Sequence, residues 1–214
     1  MIKVEKFTFN PFIENTFVIW EESSHEAIVI DPGCCNADEE KVLEGFIEEY
    51  KLSIKYLINT HCHIDHIFGC AFIKEKYNPV FLGPEKDLPL LQNAVKQAEM
   101  FGVEIKDPPK PDQYLSEALI LTLNQSEISF IFTPGHTPGE FCLYLEKEKI
   151  LISGDVLFKE GIGRTDLWGG NYATLINSIN TKLLNLPSDV RVYPGHGEET
   201  TVGDEKQTNP FLKN

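Results

Sequence analysis

The feature that most restricts the fold of this chain is a cluster of three histidines and an aspartate within six residues. The segment HCHIDH contains His61, His63, Asp65 and His66, and so holds three of the six histidines. It directly follows IKYLIN (54–59), an apolar run that predicts a buried strand. Alternate residues of an extended segment point to the same side, so His61 and His63 can reach one cation, while Asp65 and His66 face a second point nearby.

Three further stretches share one pattern, in which a predicted strand ends in a glycine-rich turn that carries a histidine or an aspartate. They are FTPGHTPG with His136, LISGDVLF with Asp155 and VYPGHGEE with His196. Small residues at strand ends let polar side chains from several strands converge at one edge of a sheet. Five of the six histidines lie at such positions. The exception is His25 in EESSHEA, which we interpret as exposed to solvent.

Five imidazoles and two carboxylates exceed the four ligands of one tetrahedral site, so they predict two divalent metal ions. We assign three residues to each ion and one bridging carboxylate: His61, His63 and His136 to the first, Asp65, His66 and His196 to the second, and Asp155 to both. Two ions about 3.5–4 Å apart can share a water, whose pKa a divalent metal lowers to roughly 7. Asp65 and Asp155 are then the catalytic carboxylates. Zinc is the expected metal, and iron and manganese suit the same ligands.

The composition argues against several classes of function. The chain has 214 residues, 42% of them hydrophobic, which suits a single domain over residues 1–214. A formal charge of −14 repels phosphate backbones, so we expect no nucleic-acid partner. No apolar run is long enough for a membrane span, and the start lacks the apolar block of a signal peptide, so we expect no membrane partner. Five cysteines without zinc-finger spacing favour a reducing cytoplasm.

Strands and helices interleave along the chain, but several strands follow one another directly. Strands are predicted at VEKFTF, TFVIW, AIVID, IKYLIN, LILTL, ISFIFT, FCLYLE, KILISGD and VRVYP. Helical spacing covers four segments: from residue 38 onwards, 67–77, 85–101 and 172–186. Asn36 followed by Glu39 predicts the cap of the first helix. This pattern predicts an α/β fold, in which two mixed β-sheets form a sandwich with helices outside.

The HxHxDH motif, followed in order by His136, Asp155 and His196, resembles the metallo-β-lactamase superfamily over nearly the whole chain. That resemblance implies the αββα metallohydrolase fold and a metal-dependent hydrolase. The segments GDVLFKEGIGRTDLWGGN and GHGEETTVGDEKQTNPFL are similar to the glyoxalase II-like branch, and especially to its short single-domain members. They imply hydrolysis of a small-molecule thiolester of the hydroxyacylglutathione type, in which a thiolate is the leaving group.

The chain departs from full-length glyoxalase II enzymes in two respects. It ends 18 residues after His196, where those enzymes continue into a helical domain that binds glutathione. The lysine and tyrosine expected after the bridging aspartate are replaced by Arg164 and Asp166, and the tyrosine expected after the last histidine is replaced by Glu198. Arg164 could bind a substrate carboxylate through both of its outer nitrogens. Alternatively, Arg164 and Asp166 pair with each other and stabilise their loop.

Other functions fit part of the pattern. The stretch GIGRTDL also resembles the persulfide dioxygenases, in which a single iron would be bound by His61, His136 and Asp155. A nuclease of the same superfamily is disfavoured by the acidic charge. A binding module that retains the fold without catalysis is disfavoured by the complete set of ligands.

Overall fold

The computed structural model describes residues 1–213, whose contacts divide them into two compact units. The first unit comprises Met1–Tyr114 with the turn Leu123–Ser126, and the second comprises the remaining described residues. Two six-stranded mixed sheets with helices against them confirm the predicted α/β class. The single domain over residues 1–214 stays a prediction. Within residues 1–213, every helix is too short or too polar to cross a bilayer.

The sheet of the first unit places the ends of two parallel strands side by side. Its strands, in spatial order, are β1 (Ile2–Phe9), β2 (Glu14–Glu21), β3 (Glu26–Ile30), β4 (Ser53–Ile58), β5 (Val80–Gly83) and β6 (Gln113–Tyr114). The first three strands are antiparallel neighbours, whereas β3, β4, β5 and β6 run parallel. Because β3 pairs with β4 up to Ile30 and Ile58, the residues that follow these two strands lie at one edge of the sheet.

The helices of the first unit pack an apolar face on this sheet. They are α1 (Ala37–Glu49), α2 (Cys70–Tyr77), α3 (Leu88–Gln92) and α4 (Ala94–Phe101). Leu43 and Ile47 of α1 and Ile73 of α2 share one buried cluster with Val18 and Leu57 of the strands. Burial of these side chains is the main source of stability in this unit, at roughly 1.5–3 kcal/mol for each large aliphatic group.

The cap of α1 is confirmed at Asn36, although its partner residue acts differently from the prediction. Asn36 Oδ1 accepts hydrogen bonds from the N–H groups of Asp38 and Glu39, both at 3.1 Å. The Glu39 carboxylate accepts from the N–H groups of Cys35 at 2.8 Å and Asn10 at 2.9 Å. Glu39 therefore connects the start of the helix to the turn between β1 and β2, instead of closing a local capping box.

Two predicted helices of the first unit are shorter than their apolar spacing suggested. The segment 85–101 is a 3₁₀ turn followed by α3 and α4, and the break falls at Asn93. The Asn93 amide donates to the Pro89 carbonyl at 2.8 Å, which competes with continuation of the helix. The segment 67–77 becomes α-helical only at Cys70, because the Gly69 N–H donates to the Pro32 carbonyl at 2.7 Å.

The second unit is built on the other six-stranded sheet. In spatial order its strands are β7 (Ile120–Leu123), β8 (Ser126–Phe132), β9 (Phe141–Leu145), β10 (Ile150–Gly154), β13 (Arg191–Pro194) and β14 (Thr200–Thr201). A separate hairpin pairs β11 (Leu157–Phe158) with β12 (Gly161–Ile162). Strands β10 and β13 are parallel neighbours, so the residues that follow them also share one sheet edge.

The helices of the second unit are α5 (Tyr172–Ser178) and α6 (Val202–Thr208). The predicted helix at 172–186 is α-helical only as far as Ser178 and continues as a π-helix over Ile179–Leu183. The Thr181 hydroxyl donates to the Asn177 carbonyl at 2.7 Å, a bond that competes with regular helical pairing. Several short elements were not predicted, because none is long enough to show a period: β5, β6, β11, β12, β14 and α6.

Candidate metal centre

The first group of predicted ligands follows β4, and we call it the β4 cluster: His61, His63, Asp65 and His66. The ring centroid of His61 lies 4.9 Å from that of His63 and 4.1 Å from that of His66. Asp65 Oδ2 lies 3.7 Å from His66 Nε2. The strand ends at Ile58, so a turn and the 3₁₀ helix Ile64–His66 bring these groups together. Strand alternation, from which we predicted the pairing of His61 with His63, is therefore not its cause.

Asp31 supports the β4 cluster through hydrogen bonds to Thr60 and His66. Its carboxylate accepts hydrogen bonds from the Thr60 N–H at 2.7 Å, the Thr60 hydroxyl at 2.6 Å and His66 Nδ1 at 3.2 Å. The same hydroxyl lies 3.1 Å from His61 Nδ1. A hydroxyl has one proton, and Thr60 gives it to Asp31, so His61 Nδ1 is the donor in the other contact. Both rings thus carry their proton on Nδ1, which leaves Nε2 as the atom that could coordinate a metal ion.

A second carboxylate, Glu14, lies behind the same histidines. Glu14 Oε1 is 3.9 Å from His66 Nδ1, and burial raises the pKa of the Glu14 carboxyl well above its ordinary value. A Cβ added to Gly33 would lie 1.9 Å from Glu14 Oε2 and 2.7 Å from the Asp65 carbonyl oxygen, so a larger residue would displace both the carboxylate and the backbone of the β4 cluster. Sequence reasoning missed both Asp31 and Glu14. For Asp31 a signal existed, because the DPG turn follows a strand that was itself predicted.

The remaining three predicted ligands lie together in the second unit, and we call them the Asp155 cluster: His136, Asp155 and His196. They follow β8, β10 and β13 respectively, as the sequence predicted. Asp155 Oδ2 lies 3.5 Å from His136 Nε2 and 3.6 Å from His196 Nε2. One carboxylate oxygen is thus placed between two imidazole nitrogens, as expected for a carboxylate that bridges two metal ions.

Main-chain atoms orient much of the Asp155 cluster. His136 Nδ1 lies 2.7 Å from the Arg164 carbonyl oxygen. A carbonyl can only accept, so Nδ1 carries the proton and Nε2 presents its lone pair. The Asp155 N–H donates to Glu140 Oε1 at 2.8 Å. A Cβ at Gly163 would lie 1.9 Å from the Asp155 carbonyl oxygen and 3.1 Å from His136 Cβ, so the loop closes on the cluster only with glycine at 163.

The two residues predicted to bind substrate are paired with each other. Arg164 Nε and one terminal nitrogen each lie 2.8 Å from an oxygen of Asp166. The two side chains are 61% and 68% exposed, and the hydrogen bond from Arg164 lowers the pKa of Asp166 to about 2. This is the loop-stabilising alternative of the sequence analysis. Contact between Arg164 and a substrate carboxylate stays a prediction, and such a carboxylate would have to compete with Asp166.

Glu198, found where the resemblance leads us to expect a tyrosine, forms an ion pair with Lys159. Both side chains are largely exposed, and the hydrogen bond from Glu198 raises the pKa of Lys159. The Phe158 ring meets the His196 ring edge-on at 6.3 Å between centroids. Phe158 is therefore the aromatic neighbour of His196, and Glu198 is engaged by Lys159.

The donor chemistry of both clusters fits divalent metal ions. The candidate ligand atoms are imidazole nitrogens, with the opposite nitrogen hydrogen-bonded in His61, His66 and His136, together with carboxylate oxygens. Zinc, iron and manganese all accept this combination. Cys62 lies between two of the histidines but is buried in the apolar core of the first unit. Its burial raises the pKa of the thiol well above the usual value.

Comparison with known proteins gives consistent results. The family model of the metallo-β-lactamase superfamily matches residues 9–196, which include every predicted ligand. Hydroxyacylglutathione hydrolase GloC of Haemophilus influenzae is 39% identical over 99% of this chain and 98% of its own. The structure of the B3 metallo-β-lactamase BLEG-1 has a TM-score of 0.90 at 32% identity, and covers 99% of this chain and 100% of that one. The di-iron-bound structure of TTHA1623 has a TM-score of 0.86 at 34% identity, over 97% and 100% respectively.

Proposed function

This chain belongs to the metallo-β-lactamase superfamily, and from that premise we propose that it hydrolyses thiolesters of the hydroxyacylglutathione type. The observation that carries the choice of substrate is the likeness to hydroxyacylglutathione hydrolase along almost the full length of both chains. A thiolate is a good leaving group, because the pKa of a thiol is only about 8.5. Such a reaction therefore needs a strong nucleophile more than it needs a strong general acid.

We propose as metal ligands the seven residues that make up the β4 cluster and the Asp155 cluster. Support comes from each cluster separately, since each presents imidazole nitrogens beside a carboxylate oxygen. Two divalent ions, when bound, would supply a hydroxide nucleophile at neutral pH and polarise the thiolester carbonyl. Zinc is the proposed metal. Iron is the alternative, because the structural relative TTHA1623 was solved with two irons.

The protein's own residues have distinct roles in this proposal. Asp155 keeps Oδ2 between His136 Nε2 and His196 Nε2, and so links the two imidazoles through one carboxylate oxygen. Asp65, whose Oδ2 lies 3.7 Å from His66 Nε2, would present that oxygen as a ligand beside the histidine, and the departing thiolate takes its proton from water. In the net reaction the acyl C–S bond breaks and a C–O bond forms, which yields a carboxylic acid and a thiol.

The test combines metal analysis with turnover. Purified protein, loaded separately with Zn²⁺, Fe²⁺ and Mn²⁺, is analysed for metal content and assayed with S-D-lactoylglutathione. We expect two metal equivalents per chain and release of free thiol. One iron per chain, with oxygen uptake on glutathione persulfide and no thiol release from the thiolester, would instead establish the persulfide dioxygenase alternative.

A matched pair of histidine variants makes this test specific. His63→Asn removes a proposed ligand from the first unit, whereas His25→Asn changes an exposed histidine of the same unit. Asparagine suits the control because His25 has a φ of 57°, which asparagine tolerates. We expect His25→Asn to retain both metal equivalents and full turnover, and His63→Asn to lose metal and activity together. Equal behaviour of the two variants would contradict the ligand set.

A further inference from the structure

Glu140 links two of the loops that carry the Asp155 cluster, and the sequence analysis gave it no role. It closes the turn that carries His136, because its carbonyl accepts from the Thr133 N–H at 2.9 Å. Its side chain extends to the next loop, where Oε1 accepts from the Asp155 N–H at 2.8 Å. The residue is 0% exposed, so this carboxylate is fully buried.

The regular strand pairing fixes the backbone at Asp155 only in part. Pairing of β10 with β13 shifts register between Ile152 and Gly154, and Gly154 has a φ of 52°. The chain therefore leaves the regular ladder just before Asp155. The carbonyl of the Gly154–Asp155 peptide accepts from the Gly195 N–H at 2.8 Å, and the N–H of that peptide donates to Glu140 instead of to a neighbouring strand. Rotation of the peptide between Gly154 and Asp155 would swing the Asp155 carboxylate away from the two histidines.

We infer that Glu140 is a positioning residue for Asp155. By accepting from the Asp155 N–H, Glu140 holds that peptide in the orientation that puts Oδ2 between His136 and His196. A hydrogen bond to a carboxylate is roughly twice as strong as one to a neutral acceptor. The inference rests on the proposed function only in treating Asp155 as a metal ligand, and it is independent of the substrate.

The role also predicts a coupling between Glu140 and metal binding. Loss of the Glu140 acceptor would leave the Asp155 N–H unsatisfied and release one side of that peptide, so the Asp155 carboxylate would be less well placed for a pair of metal ions. Glu140 is therefore expected to strengthen binding of the metal pair, which a hydrogen bond that only stabilises the fold would not do.

Manganese binding tests the inference without any substrate. Mn²⁺ affinity is measured by competition with a chelator, and electron paramagnetic resonance reports the exchange coupling between two bridged ions. Glu140→Met keeps the side-chain length but has no acceptor. We expect it to weaken Mn²⁺ binding by about 10–100-fold, the range typical of outer ligand-supporting residues, and to remove the coupled signal. Glu140→Gln keeps an acceptor oxygen, so it should retain the coupled signal with only a modest loss of affinity.

A matched control comes from Glu205, a buried carboxylate of the same unit that accepts from the Glu160 N–H at 2.9 Å. Glu205→Met should lower thermal stability and leave Mn²⁺ affinity and coupling as in the wild type. If Glu140→Met does not fold, Glu140→Asp, whose carboxylate is one methylene too short, replaces it and should weaken the coupled signal.

The outcomes separate clearly. Wild-type Mn²⁺ affinity and coupling in Glu140→Met, or in Glu140→Asp where that replaces it, would overturn the positioning role. Losses in Glu205→Met equal to those in Glu140→Met would overturn it as well. A coupled manganese pair in a wild-type protein that cleaves no thiolester would refute the proposed substrate and leave the role of Glu140 standing.

Discussion

In the β4 cluster the ring nitrogens of His61 and His66 opposite the proposed metal are held by side chains, whereas in the Asp155 cluster the corresponding nitrogen of His136 is held by a main-chain carbonyl. Asp31 and Thr60 provide the first kind of support, and Arg164 provides the second. The β4 cluster is also local, with all four ligands inside six residues. The Asp155 cluster collects its ligands from three loops that are far apart in the sequence.

This difference predicts how each cluster responds to mutation. Side-chain support can be removed by changing one residue, and the buried donors left behind then lose their acceptor. Main-chain support survives a change of side chain and fails only when the backbone itself is displaced. The β4 cluster should therefore be sensitive at polar positions such as Asp31, and the Asp155 cluster at close-packed glycines such as Gly163.

The largest effect is expected for Asp155→Ala. In our proposal only Asp155 contacts both metal ions, so its loss should reduce kcat/KM by more than the roughly 100-fold upper range of outer supporting residues. The measurement is turnover of metal-saturated enzyme, with Asp189→Ala as the control, since Asp189 forms an exposed ion pair with Lys149 in the same unit. A loss equal to or smaller than that of His66→Ala would show the bridging assignment to be wrong.

Asp31→Ala should have the next largest effect. It removes the acceptor for the Thr60 N–H, the Thr60 hydroxyl and His66 Nδ1, and each buried donor left unsatisfied costs about 1–3 kcal/mol. We also expect about 10–100-fold weaker metal binding. Denaturant unfolding and chelator competition measure the two effects. Asp112→Ala, which removes the acceptor of the Phe81 N–H at a position away from the ligands, should change stability alone.

Gly163→Ala tests the main-chain support of the Asp155 cluster. The new methyl group would collide with the Asp155 carbonyl, so the loop must move and carry the Arg164 carbonyl away from His136. We expect a loss of about 1–3 kcal/mol in stability together with weaker metal binding. Gly161→Ala is the control, because a methyl group there makes only ordinary contacts of 3.5 Å or more. Similar behaviour of the two variants would show that packing at 163 does not matter.

Arg164→Ala should have a small effect confined to substrate binding. The change leaves the backbone carbonyl of residue 164, and hence the support of His136, in place. If the guanidinium binds a substrate carboxylate, KM for charged thiolesters should rise a few-fold with little change in kcat. KM for uncharged thiolesters should stay constant. Parallel changes in KM for both classes, with a matching fall in stability in Asp166→Ala, would leave only the loop-stabilising role.

The smallest effect concerns pH. Arg164 lowers the pKa of Asp166 in the folded protein to about 2, below the value of about 3.9 in an unfolded chain. The stabilisation from this pair is therefore complete above about pH 4 and is lost as the pH falls through about 2. The melting temperatures of wild type and Asp166→Asn should differ slightly near neutral pH and converge in strong acid. A difference that persists at low pH would mean that Asp166 acts through another contact.

The proposed metal ligands could be identified from the sequence, but the residues that orient them could not. His136, Asp155 and His196 could be located because each follows a strand in a glycine-rich turn. Asp31 was not identified, since its role depends on the parallel pairing of β3 with β4, which brings two distant strand ends together. Glu140 was missed for the same reason, because the loop that its side chain reaches begins two strands later in the chain, after β9 and β10.

Secondary structure was likewise predicted well where a local apolar pattern decides it, and less well where a side-chain contact interrupts that pattern. Strands with a strong apolar pattern were located to within a few residues, as β2 and β4 illustrate. The segment 85–101 was predicted as one helix because its apolar spacing is continuous, but local side-chain bonding at Asn93 interrupts it. Periodicity reports which face is buried, and it does not report where a side chain competes for a backbone carbonyl.

The hydrogen bond from His136 to the carbonyl of residue 164 has a consequence for how this protein can change over generations. A main-chain carbonyl is present whatever amino acid the codon specifies. Position 164 can therefore sample many side chains while His136 keeps its orientation. A saturation library at this codon should yield mostly metal-competent enzymes that differ in substrate preference. Selection can therefore change substrate preference with little effect on metal binding.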